Sequence, residues 1–217
     1  MRPKIKICCI SSQAEAQMAI KAGASALGLV ARMPSGPGPI SDELIRDIAR
    51  SIPPPIASFM LTSETAAAAI IEHHYRTLTN TIQIVDKLAD GNYQEIRNKL
   101  PAVKLVQVIH VIDENSIEEA ITISKYVDAL LLDSGNPKAA IKELGGTGRT
   151  HNWELSRKIV ASVPVPVFLA GGIHAGNVRQ AIEMVAPFGI DLCSSVRTEG
   201  KLDPQKLELF FETINRI

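Results

Sequence analysis

The chain has 217 residues, 46% of them hydrophobic and 21% charged, a balance that fits a globular domain and excludes a disordered one. Lys and Arg total 23 and so do Asp and Glu, so the net charge is zero, which argues against an extended nucleic-acid footprint. No apolar run approaches the ~20 residues of a membrane span, and the N-terminal segment lacks a signal-peptide pattern. Cys8, Cys9 and Cys193 are too few and too oddly spaced for a disulfide framework or a zinc site. The composition therefore predicts one domain over residues 1–217, cytoplasmic, with neither nucleic acid nor membrane as partner.

Short β-branched runs alternate with helical patterns along the chain. Residues 4–10 and 26–30 read as the first two strands. Ser41 and Asp42 then open an amphipathic helix whose apolar positions, Leu44, Ile45, Ile48 and Ala49, have helical spacing. Strands follow at 56–61, 81–85 and 103–111, and Ser116-Ile117-Glu118-Glu119 reads as a capping box. Further strands fall at 129–133, 165–170 and 190–194. Asp203 and Pro204 start a last helix with Leu207, Phe210, Phe211 and Ile214 as its buried stripe. Eight strand–helix units in this length fit the compact end of the α/β (β/α)8 TIM barrel, as one domain. The continuous apolar run at 129–132 suits a parallel strand covered on its outer face. A doubly wound open sheet is the competing architecture, but no G-x-G-x-x-G follows the first strand.

Two loops stand out. The Pro- and Gly-rich segment 32–40 reads as a rigid loop at the barrel mouth. The irregular stretch 134–152, which contains Gly145-Gly146-Thr147-Gly148, has the length of a functional loop. In such a barrel the active groups lie at the C-terminal strand ends. Alternation puts Lys6 and Cys8 on one face of the first strand and Ile5, Ile7 and Cys9 on the other. Cys8 is then either a small buried hydrophobe or, beside the Lys6 charge, a thiolate. Asp133 ends an apolar strand and is either a turn residue or an acid with a raised pKa. Asp86 ends the fourth strand and Asp191 lies within the eighth. Gly171-Gly172 and Ser194-Ser195 follow strands seven and eight, where barrel phosphate sites are frequently built. His73 and His74 read as the solvated face of a helix. His110, His151 and His174 lack metal-ligand spacing, so no metal is expected.

Taken together, these motifs resemble the phosphoribosylanthranilate isomerase family over nearly the whole length. The residues that carry the resemblance begin with Lys6-Ile7-Cys8, Ala22-Gly23-Ala24, Pro53-Pro54 and Ile82-Gln83. The most specific are Leu131-Leu132-Asp133, the 145–148 loop with Trp153, and Leu169-Ala170-Gly171-Gly172-Ile173, followed by Asn177-Val178, Asp191, Ser194 and Gly200-Lys201.

The resemblance implies an Amadori rearrangement in tryptophan biosynthesis, with Asp133 as general acid, Cys8 as general base and no cofactor. It implies a small phosphoribosyl substrate, a monomer or homodimer, and substrate or phosphate contacts from Lys6, Gln83, Gly146, Arg149, Gly171, Gly172, Asp191, Ser194 and Ser195. Against the family pattern, the loop after strand two has no arginine to pair with the anthranilate carboxylate, and Arg32 and Arg149 are the nearby cations. Strand four ends Gln83-Ile84-Val85-Asp86 in place of Gln-Leu-His-Gly. His151-Asn152-Trp153 replaces Phe-Asp-Trp, and Ser195 and Arg197 stand where the family has glycine and glutamate. Two alternatives stay open from sequence: an isomerase of a different phosphosugar amine, and a non-catalytic paralogue that binds a phosphometabolite.

Overall fold

The computed structural model describes residues 2–135 and 150–217. Eight parallel strands close into a barrel in sequence order: β1 (Lys4–Ile7), β2 (Ala26–Val30), β3 (Ala57–Thr62), β4 (Thr81–Ile84), β5 (Lys104–His110), β6 (Ala129–Asp133), β7 (Val167–Leu169) and β8 (Gly189–Leu192). The seam is β8 against β1, with Lys6 level with Asp191. Helices α1 (Gln13–Ala22), α2 (Asp42–Ser51), α3 (Ala67–Thr77), α4 (Tyr93–Lys99), α5 (Asn115–Ile123), α6 (Trp153–Ser162), α7 (Val178–Val185) and α8 (Pro204–Asn215) form the outer layer. A short antiparallel pair, β9 (Arg197–Thr198) and β10 (Lys201–Leu202), precedes α8.

Alternation along the strands separates two cores. On β6, Leu130 and Leu132 face outward and pack with helical residues such as Ala120 and Ile159. Ala129 and Leu131 face inward to meet Val106, Val108 and Phe168. Each large aliphatic side chain so buried is worth roughly 1.5–3 kcal/mol. Phe59 and Phe168 cross edge to face inside the barrel, with centroids 5.8 Å apart. Local signals set the helix starts. Ser41 Oγ accepts from the Leu44 N–H at 3.2 Å, and Asp203 caps α8 ahead of Pro204. Among the described residues, no helix is long and apolar enough to cross a membrane.

Three local expectations are corrected. Ser116 lies inside α5 rather than at its cap; its hydroxyl donates to His110 O and accepts from Ile112 N, tying the helix to the end of β5. His73 and His74 are buried, not solvated, because α3 packs between α2 and α4. His73 bridges Thr62 Oγ1 at 2.9 Å and Asp42 Oδ1 at 3.1 Å, while His74 Nε2 reaches Thr79 O at 2.7 Å. Finally, β1 ends at Ile7, and Cys9 does not continue the outward face of Ile5 and Ile7. Its φ of 63° is left-handed, which breaks the alternation and returns its side chain to the inner core beside Cys8.

Candidate active site

The inner face of β1 carries Lys6 and then Cys8. Lys6 is fully enclosed, and its Nζ donates to Asp191 Oδ1 at 2.9 Å across the seam. Nζ also lies 5.3 Å from the centroid of the Phe59 ring. Gly28 on β2 makes room for both groups. A Cβ there would lie 2.7 Å from Cys8 Sγ and 3.0 Å from Lys6 Nζ. Burial works against the Lys6 charge, but Asp191 and Cys8 outweigh it and hold Lys6 above the ordinary lysine range. The Cys8 thiol is lowered, first by a hydrogen bond with the Cys9 thiol and then by the Lys6 charge, against the opposing effect of burial.

Asp133 ends β6 with its carboxyl turned inward and 7% exposed. Burial, reinforced by the Asp191 charge, pushes its pKa up to about 6, although the Ser134 N–H donates to Oδ1 at 2.7 Å. Asp133 thus accepts the local turn contact from Ser134 and is at the same time buried on the inner face.

Both groups open onto one cavity at the C-terminal mouth of the barrel. Its wall also includes Gln83 at β4, Gly171 and Gly172 after β7, and Asp191, Cys193, Ser194 and Ser195 at β8 and beyond. Met33, Ser35, Gly36 and Pro37, from the loop after β2, complete one side. Lys6 sits beneath this surface, behind Cys8 and Asp191. Gly171 and Gly172 have φ of 77° and 64°, a conformation that favours residues without a side chain. Gln83 Oε1 and Ser195 Oγ are buried and have no partner among the described residues. Such groups are available to a ligand. Among the described residues no group of three or more His, Cys, Asp or Glu could hold a metal ion.

The chain and its barrel match known proteins. The family model described as N-(5'-phosphoribosyl)anthranilate isomerase matches residues 5–213. The N-(5'-phosphoribosyl)anthranilate isomerase of Methanocella arvoryzae is 30% identical over 212 residues, covering 97% of each chain. The chain belongs to the N-(5'-phosphoribosyl)anthranilate isomerase family. It is an isomerase of tryptophan biosynthesis. The crystal structure of the phosphoribosylanthranilate isomerase from Thermotoga maritima aligns with a TM-score of 0.80 at 25% identity, over 99% of this chain and 100% of that one. Another solved phosphoribosylanthranilate isomerase, in complex with reduced 1-(o-carboxyphenylamino)-1-deoxyribulose 5-phosphate, aligns at 0.78 with 23% identity, over 99% of this chain and 100% of that one.

Of the site positions expected in this isomerase, Cys8, Gln83, Asp133, Gly171, Gly172, Asp191, Ser194 and Ser195 share the cavity, and Lys6 supports it. Gly146 and Arg149 lie outside the described residues. Arg32 is exposed and does not line the cavity. No lysine or arginine appears among the described lining residues. Sequence reasoning missed Cys9 as a cavity residue because no pattern marks a left-handed cysteine. It read Cys193 as part of a strand end without seeing that its side chain joins the other two thiols.

Proposed function

We propose that this isomerase converts N-(5-phosphoribosyl)anthranilate into 1-(2-carboxyphenylamino)-1-deoxyribulose 5-phosphate. Asp133, protonated, donates to the furanose ring oxygen; the C1–O bond breaks and an iminium forms. Cys8, as thiolate, removes the C2 proton, and the resulting enolamine tautomerises to the ketone. The proton given by Asp133 and the one taken by Cys8 balance on the substrate. The tautomerisation moves the 2-OH proton to C1 through solvent, and proton exchange with water returns Asp133 to the acid and Cys8 to the thiolate. The observation that carries this reading is that Cys8 and Asp133 line a single cavity at the barrel mouth, where burial favours the protonated carboxyl and the Cys9 thiol and Lys6 charge favour the thiolate.

The phosphate fits the backbone of Gly171 and Gly172 and the hydroxyls of Ser194 and Ser195, where the absence of bulky side chains permits close approach. The aromatic ring finds apolar surface on Val30, Met33 and Leu61. The bound reduced product in the solved relative supports the choice of substrate.

The test is turnover of freshly prepared phosphoribosylanthranilate by Cys8→Ser and Asp133→Asn. Acid and base groups typically contribute ~10²–10⁴-fold, so each substitution should reduce kcat by at least about 100-fold with little change in binding. Wild-type turnover in either variant removes that residue from the mechanism. Absence of turnover by the native protein, with activity on another phosphosugar amine, would reassign the substrate.

A further inference from the structure

Beyond Ile7 the chain leaves the barrel in an unusual way. The Cys8 N–H still donates to Leu192 O at 2.7 Å, and the Ile10 N–H donates to Gly28 O at 3.0 Å. Between these two anchors, Cys9 adopts its φ of 63°. A residue with a Cβ holds that conformation only where its surroundings impose it.

The imposing group comes from the far end of the chain. Arg197, on β9, is 8% exposed and points under the end of β1. Its Nη2 donates to Cys8 O at 3.2 Å and also to Cys9 O. The left-handed residue between them turns both carbonyls toward one guanidinium. The guanidinium is itself held. Nη1 and Nη2 meet Glu15 Oε1 and Oε2 at 3.3 Å and 3.2 Å, and Nη1 donates to Gly200 O at 2.9 Å. Glu15 is 7% exposed and also accepts from Ser11 N at 3.0 Å and Leu202 N at 2.8 Å.

A buried ion pair is weak support for stability as such, since apolar residues of similar volume often do as well. Here its donors are spent on the backbone of the two residues whose thiols face the cavity. The paired charges cancel, so what the arrangement supplies is geometry. We propose that Arg197, held by Glu15, is a positioning residue that fixes the carbonyls of Cys8 and Cys9 and thereby aims the Cys8 thiol into the cavity. The role as written rests on the reading of Cys8 as general base. Without the guanidinium, Cys9 relaxes toward extended backbone, its thiol turns away from Cys8, and the Cys8 sulfur shifts.

The experiment compares Arg197→Met and Arg197→Lys, each alone and combined with Cys9→Gly, which adopts positive φ without a clamp. Misplacing a reacting group by about 1 Å can cost ~10²-fold, so Arg197→Met should lower kcat by about 10- to 100-fold with KM changed less than about threefold. In the Cys9→Gly background the same substitution should cost less than about fivefold, because glycine needs no guanidinium to hold φ positive. If Arg197→Met does not fold, Arg197→Lys, which cannot bond both carbonyls and Glu15 together, carries the same comparison. Unchanged kcat in a folded Arg197 variant overturns the proposal, and so does an equal loss with and without Cys9→Gly. Iodoacetamide alkylation of Cys8, followed by fragment mass spectrometry at neutral pH, separates this proposal from the mechanism. It should slow in the Arg197 variants whether or not Cys8→Ser abolishes turnover. An unchanged Cys8 alkylation rate refutes the positioning role, whereas wild-type turnover by Cys8→Ser refutes only the base.

Discussion

Lys6 Nζ sits 2.9 Å from Asp191 Oδ1, at a level where β1 and β8 close the barrel, and the lysine has no access to water. The pair places a fixed positive charge beneath Cys8 while its own net charge is zero. Removing one partner leaves the other buried and alone, which typically costs about 3–5 kcal/mol. Lys6→Met should therefore lower the urea midpoint sharply. Lys6→Met combined with Asp191→Leu should recover much of that stability and none of the activity. A double variant that is both stable and active would show that the pair serves the fold alone.

Gly28 faces Cys8 from the neighbouring strand. An added methyl would meet Cys8 Sγ at 2.7 Å and Cys8 Cα at 3.0 Å, and the latter cannot rotate away. Overpacking of this kind costs about 1–3 kcal/mol. Gly28→Ala should lose at least about tenfold in kcat, since the thiol has to move, and should lower the melting temperature by a few degrees. Steady-state kinetics and calorimetry on the one variant check both expectations.

Asp133 links activity to stability. Its pKa rises from the ordinary 3.8 to about 6 in the folded protein. The folded state thus binds the proton more tightly than the unfolded state. Stability contributed by this group is complete below pH 3.8 and declines as pH rises through about 6. At ~1.4 kcal/mol per pH unit, the deficit at pH 8 reaches about 3 kcal/mol. Asp133→Asn keeps the acceptor for the Ser134 N–H and removes the titration. It should melt several degrees above the native protein at pH 8, with the gap closing toward pH 4, while turnover is lost. A melting difference that does not change with pH would contradict the raised pKa.

Ser195 Oγ is buried without a partner among the described residues, on the wall assigned to the phosphate. Ser195→Ala should weaken inhibition by inorganic phosphate about 3- to 10-fold, as expected for loss of one hydrogen bond of ~0.5–1.5 kcal/mol, and should leave the fold intact. Equal inhibition of the variant and the native protein by phosphate would move the anion elsewhere.

The barrel was legible in the sequence because its rules are local and repeated. β-branched runs, helix starts such as Ser41 and Asp203, and the apolar stripe of α8 each follow from periods and caps that act over a few residues. The inward direction of Lys6 and Cys8 was legible for the same reason, alternation along an extended strand, whereas Asp133 read equally as a turn residue or as a buried acid. The family motifs in the two Gly- and Ser-containing loops then brought the wall of the cavity into view.

Where backbone or burial depended on a distant segment, sequence could not decide. His73 and His74 read as polar surface until α2 and α4 enclosed them and Thr62, Asp42 and Thr79 supplied their partners. Ser116 looked like a cap, but the end of β5 claimed its hydroxyl. Cys9 belonged by alternation to the outer face, but its left-handed backbone turns it inward, with its carbonyl accepting from a guanidinium 188 residues away. Periods and caps within the sequence set the strands and helices, while the environments of the mouth residues came from packing. Burial and the Asp191 charge raise Asp133, the Cys9 thiol and the Lys6 charge lower Cys8, and Cys9 takes a left-handed backbone that no local pattern marks.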